Sequence, residues 1–283
     1  MNMNRKLFSV ALAAALCLSL TACGSKKTDD STSGAASSGT DATETVTLTV
    51  AATPVPHAEI LEQCVPILAE QGIDLVIHEY NDYVIPNTAV EEGEEDANFF
   101  QHVPYMENFN AERGTHLVSV AGVHVEPMGI YAGKTASLEE LADGATVAIP
   151  NDATNEGRAL LLLEAQGLIT LDESAGLEAT PNDIVDNPKN LSFVELEAAM
   201  LPKTVSEVDL AVINSNYALD AGFNPVEDSL AIEGSDSVYV NILAVKEGNE
   251  NNEAIQALVA ALHSDTIRDY INETYGGAVV PAF

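Results

Sequence analysis

Positive charge is scarce in this 283-residue chain. Eleven Lys and Arg stand against 44 Asp and Glu, for a net charge of −33. A surface that negative repels phosphate backbones and anionic lipid headgroups, so nucleic-acid binding is excluded and the charge serves solubility. Cysteine is sparse too. Of Cys17, Cys23 and Cys64, only Cys64 lies in the stretch that reads as folded, so no internal disulfide is possible there. The signatures of catalysis and cofactor binding are missing: there is no Gly-x-Ser-x-Gly elbow, no His-Glu-x-x-His, no Gly-x-x-x-x-Gly-Lys loop and no dinucleotide fingerprint. No enzyme and no cofactor is expected. Apart from Leu7 to Leu20 no long apolar run occurs, and that run, about 14 residues, is short of the ~20 that a permanent membrane helix needs.

What is present begins with an address. Arg5 and Lys6 precede the apolar run, which ends in Leu20-Thr21-Ala22-Cys23 followed by Gly24 and Ser25. A charged start and a short apolar stretch read as an export signal. The small residues ending in cysteine resemble a bacterial lipobox, which implies cleavage of residues 1–22 and lipid on Cys23. Residues 23–45 hold Ser, Thr, Gly, Ala, Asp and Lys with almost no large hydrophobe, the composition of a flexible tether. The expected location is the extracytoplasmic face of the cell membrane, reached through that lipid alone.

From Val46 onward, strand and helix signals alternate. Val46 to Ala52, Leu75 to Tyr80, Asp96 to Phe100 and Leu117 to Val125 read as strands. Between them lie helices over His57 to Gln71, with Pro66 expected to kink or divide the helix, over Pro86 to Glu92, and over Pro104 to Arg113. In a second series, Ser137-Leu138-Glu139-Glu140 has the pattern of a capping box opening a helix. Ala145 to Ile149 reads as a strand, Thr154 or Asn155 as the cap of a helix through Ala165, and Leu191 to Leu196 and Asp209 to Ile213 as strands. Val238 to Val245 is a further strand, and two helices close the chain. Such alternation predicts an α/β fold with mostly parallel sheets, in two lobes joined by a double crossover. The expected bounds are 46–126 plus 237–283 for one lobe and 127–236 for the other.

Ligands on such sheets bind where loops leave the carboxyl ends of strands, and these loops are rich in aromatic, amide and cationic groups. Tyr83 follows one strand; Phe100, His102 and Tyr105 lie at a second; Arg158 opens the helix after a third; Asn214 and Asn216 follow a fourth; Asn241 lies within a fifth. Arg158 is conspicuous because cations are rare and a helix start disfavours one. A guanidinium beside a helix N-terminus suits a carboxylate ligand, and a surface ion pair is the competing reading. His124 and Glu126 share a strand face, yet two ligands do not make a zinc site and no metal is expected. The acidic run Glu91 to Asp96, interrupted by Gly93, lacks calcium-loop spacing and reads as a solvated turn. Cys64 has apolar neighbours at helical spacing and reads as buried. Its use as a nucleophile with His57 as base, in a surface cysteine hydrolase, is the alternative.

The runs Asn81-Asp82-Tyr83-Val84-Ile85-Pro86-Asn87, Asp96 to Tyr105, Ile149 to Leu163, Asn187-Pro188-Lys189-Asn190-Leu191, Ala211 to Asn214, Tyr239-Val240-Asn241 and Gly276 to Val279 resemble the methionine-binding lipoproteins of bacterial ABC importers. The resemblance implies a two-lobed periplasmic-binding-protein fold that closes on free methionine and delivers it to a permease, with permease and ATPase on separate chains. It implies a thioether held among rings matching Tyr83, Phe100, His102 and Tyr105, a carboxylate on Arg158, and a head group oriented by Asn216 and Asn241 with Asn214 nearby. A methionyl peptide or another apolar amino acid is the alternative ligand.

Overall fold

The computed structural model describes residues 45–234 and 237–283. The expected leader, Cys23 and nearly all of the tether lie outside the described residues. The chain begins with strand β1 (Val46–Ala52), helix α1 (Glu59–Ala69), β2 (Ile73–Glu79), α2 (Ile85–Glu92), β3 (Ala97–His102), α3 (Val103–Arg113) and β4 (Leu117–Val125). Next come β5 (Gly129–Ala132), β6 (Thr146–Pro150), α4 (Ala153–Ala165) and the short strands β7 (Thr170–Leu171) and β8 (Ile184–Asp186). They are followed by β9 (Ser192–Leu196), α5 (Leu201–Thr204), β10 (Leu210–Ile213), α6 (Ser215–Asp220), α7 (Pro225–Asp228) and β11 (Ser229–Ile232). The chain closes with β12 (Val240–Lys246), α8 (Glu253–Leu262), α9 (Asp265–Tyr275) and β13 (Val280–Pro281).

These strands form two main sheets, ordered β13-β4-β12-β3-β1-β2 and β11-β5-β10-β6-β9. Each carries helices on both faces. On the first sheet, Leu48, Val50 and Phe99 pack with Leu61, Leu68, Leu258 and Ile267, while Phe100 and Ile242 point the other way onto Val90, Met106 and Phe109. On the second, Val147, Ile149 and Val212 pack on Leu160 and Leu163, and Ala148 and Ala211 face Leu201 and Ala218. A fully buried leucine such as Leu160 contributes roughly 1.5–3 kcal/mol over exposure. The chain crosses between the sheets twice, after β4 and before β12, so the molecule has two lobes and a double crossover. Among the described residues no helix is long and apolar enough to cross a membrane.

Several local expectations are corrected. The sheets are mixed rather than mostly parallel: β1 pairs in parallel with β2 and β3, and β6 with β9 and β10, but β12 runs antiparallel to β3 and β4, and β5 antiparallel to β10 and β11. The returning strand β12 enters from the crossover, whose direction no local pattern encodes. Helix α1 runs through Pro66 without division; the proline lies on the exposed side, where water can satisfy the carbonyl it leaves free. Ser137 accepts a hydrogen bond from Glu140 N, yet no helix follows. Gly144 turns with φ +77° only a few residues on, and its N–H is bound to Lys189 O at 2.7 Å; so short a segment cannot offset helix nucleation. In the acidic run, Glu95 is buried rather than solvated, bonded to His78 Nδ1 (2.6 Å) and Tyr80 OH (3.2 Å).

Candidate functional site

Helix α4 starts at the edge of a cavity between the two lobes. Its N-cap is Asp152, not Thr154 or Asn155. Asp152 has extended backbone angles, and its Oδ1 accepts from Asn155 N (3.0 Å) and Asn155 Nδ2 (2.9 Å). The cap thereby aims Asn155 Oδ1 at Asn214 Nδ2 of its own lobe (2.8 Å) and, across the cleft, at His102 Nε2 (3.3 Å). Gly157 lets α4 sit this close to the Leu177–Ala179 backbone, because a Cβ there would lie 2.2 Å from Leu177 O.

The cavity is narrow, with aromatic and polar side chains closing in on it from both lobes. All eight residues singled out in the sequence line it. Tyr83, Phe100, His102 and Tyr105 form an aromatic wall, with ring centroids 5.7 Å apart for Tyr83–Phe100 and Tyr83–Tyr105 and 6.2 Å for His102–Tyr105. Tyr83 OH donates to Asn216 Oδ1 (2.6 Å) and Tyr105 OH to Tyr83 O (2.9 Å), so the wall is pinned across the cleft. Burial and the nearby Arg158 lower the His102 pKa to about 3, so its ring is neutral. With Nδ1 accepting from Tyr105 N, Nε2 carries the proton.

The opposite wall is polar: Arg158, Asn214, Asn216 and Asn241, joined by Glu126, Asn155 and Ser215. Arg158 is 3 % exposed and is neither a lone cation nor a surface one. Its Nε lies 2.9 Å from Glu233 Oε1, its Nη2 lies 2.5 Å from Glu233 Oε2 and donates to Glu126 O (2.7 Å), and its guanidinium stacks 4.3 Å over the Tyr239 ring. Asn214 Oδ1 is buried without a hydrogen-bond partner. Buried acceptors are rarely left so, and a donor in the cavity would satisfy it.

Sequence reasoning missed Glu126 as part of this wall. It reaches the cavity from the first crossover, its Oε1 accepts from His124 Nε2 (2.7 Å), and His57 Nε2 lies 3.1 Å from the same oxygen. His57 Nε2 also lies 3.1 Å from Asn241 Oδ1, so it faces two oxygens and must be the donor. Burial lowers the pKa of His57 to about 4 and of His124 to about 3, and raises that of Glu126. The neutral His124 imidazole thus holds one carboxylate oxygen with the neutral His57 ring beside it, and the backbone N–H of Asn216 also donates to the carboxyl group. The ligating atoms of these three residues lie within 4.8 Å of one another, but shared protons account for their spacing without an ion. The only sequence signal for this acid was its place two residues after His124.

Cys64 is fully buried among apolar residues, and burial pushes its thiol up to about 12. Both ring nitrogens of His57 are committed, to Thr53 and to Asn241. The pairing of nucleophile and base considered from sequence is therefore not formed.

Three comparisons bear on this site. The family model described as NlpA lipoprotein matches residues 48–283. A methionine-binding lipoprotein, MetQ, of Bacillus subtilis is 42 % identical over 239 residues, covering 83 % of this chain and 87 % of its own. A nutrient binding protein from Burkholderia cenocepacia, solved bound to methionine, superposes with a TM-score of 0.81 at 40 % identity over 83 % of this chain and all of its own. The structure of an ABC transporter periplasmic substrate-binding protein from Coxiella burnetii gives 0.80 at 41 % identity, with the same coverage.

Proposed function

The chain belongs to the NlpA lipoprotein family, and from that premise we propose that it captures free methionine between its lobes and delivers it to an ABC permease. The carrying observation is a single cavity with an aromatic wall, a buried guanidinium, a buried carboxylate and an unsatisfied amide oxygen. A thioether is soft and polarizable and favours ring contacts. A buried zwitterion needs each charge paired. The carboxylate goes to Arg158, whose Nη1 is the nitrogen without a bond among the described residues. The ammonium goes to Glu126 and Asn214 Oδ1. Asn216 and Asn241 orient the head group, and Tyr83, Phe100, His102 and Tyr105 surround the side chain.

In this reading the lobes divide at 126/127 and 236/237, so Glu126 and Glu233 sit at the crossovers and register closure. Permease and ATPase are separate chains, and lipid on Cys23 holds the protein at the extracytoplasmic face of the membrane. Mass spectrometry of protein purified without dialysis should detect methionine, and calorimetry on stripped protein should show one saturable site per chain. Absence of both results would end this reading.

A further inference from the structure

We propose that Glu233 is a positioning residue that fixes how Arg158 presents itself to the ligand carboxylate; this rests on the methionine reading above. Glu233 takes the Nε and Nη2 edge of the guanidinium. Its own carboxylate is immobilised, because Met128 N donates to Glu233 Oε2 (2.9 Å) while Glu233 N donates to Met128 O (2.9 Å). With Nη2 also bound to Glu126 O and the cationic plane lying over Tyr239, only Nη1 remains to face the cavity.

Two consequences follow. The side chain of Arg158 is ordered before ligand arrives, so binding does not have to order it. Its partners come from both crossovers, Glu126 from the first, Glu233 and Tyr239 from the second, and Glu233 is itself tied to Met128 of the first. A carboxylate on Nη1 therefore pulls on a group tied to both connections between the lobes. Glu233 touches no part of the proposed ligand and works only through Arg158.

The test is calorimetry with methionine and with methioninamide, which lacks the carboxylate, on the unaltered protein, Glu233→Ala and Glu233→Gln. In Glu233→Ala the methionine Kd should rise about three- to tenfold, the cost of ordering one freed side chain on binding. The methioninamide Kd should stay within about twofold, so the preference for methionine, the methioninamide Kd divided by the methionine Kd, falls. Glu233→Gln, which keeps an acceptor for Nε and the same shape, should recover part of the ratio, and it carries the comparison if the alanine variant does not fold. An unchanged ratio overturns the proposal. So does tighter methionine binding in both variants, which would make Glu233 a competing anion rather than a positioner. If the unaltered protein binds no methionine, the functional reading falls and this proposal with it; bound methionine with an unchanged ratio removes this proposal alone.

Discussion

Replacing Glu126 by Gln tests the ammonium half of the site with little change of shape. Glu126 Oε1 accepts from His124, while His57 beside it is held by Asn241 and Thr53, so the amide oxygen of Gln can take that place and leave both imidazoles satisfied. The amide nitrogen then occupies the position of Oε2 and turns donors toward the cavity, where the ligand ammonium needs an acceptor. Two unit charges about 4 Å apart interact by about 4 kcal/mol at an effective dielectric of about 20. Truncating one member of a buried charge pair typically costs roughly 2–5 kcal/mol. Taking about 3 kcal/mol, the methionine Kd should rise on the order of a hundredfold. Calorimetry at pH 7.5 should show this loss for methionine. For 4-(methylthio)butanoate, which has the same side chain and carboxylate but no amine, affinity should stay within about threefold, because the lost charge has nothing to attract. The unaltered protein should also bind methionine more weakly at pH 5 than at pH 7.5. Burial raises the Glu126 pKa, so acid converts the carboxylate to its neutral form; the Gln variant should lose that dependence. A methionine Kd that moves by less than threefold, or an equal loss for both ligands, would refute the assignment.

Other outcomes are expected on the same footing. Tyr83→Ala or Phe100→Ala should weaken methionine and norleucine more than alanine, whereas Asn241→Ala should weaken all amino acids alike; equal losses across the panel in the ring variants would dissolve the division between side-chain and head-group walls. Cys23→Ala should move the protein from the membrane fraction to the soluble one, and retention after a high-salt wash would reject the lipid anchor. Small-angle scattering should show a smaller radius of gyration when methionine is added to stripped protein, as expected of hinge closure; an unchanged curve on a sample shown to bind would reject it. Burial, with Glu195, Asp152 and Asp183 nearby, raises the Glu156 pKa to about 7. A raised carboxyl binds its proton more tightly folded than unfolded, so ionisation destabilises the fold as pH climbs from about 4.5 to above 7. Glu156→Gln should therefore raise Tm at pH 8 and leave it nearly unchanged at pH 5, and the opposite order would show that the burial argument is wrong.

Local pattern by itself determined much of this protein. The alternation of Val46 to Ala52 and the run Leu117 to Val125 became strands with those bounds, because strand periodicity reports which side of a segment meets a core. Polar and aromatic residues at strand ends marked the cavity, since those loops cannot be explained by packing. The resemblance carried by the same loops named a ligand that chemistry alone left open. Only the tertiary structure decided the rest. Arg158 meets Glu233 across 75 positions, and His57 meets Asn241 across 184; no window of sequence records such partners. Ser137 kept its capping bond but gained no helix, because Gly144 is held by Lys189 from a distant loop. The strands Gly129–Ala132 and Ser229–Ile232 are four residues each, too short for periodicity to reveal, and exist because they pair with each other beside β10. In sequence Glu126 only shared a strand face with His124, too little for a metal site. It became a carboxylate facing the cavity only when folding brought His57 to it from 69 residues upstream, since burial and hydrogen bonding, not residue type, set what an acid can do.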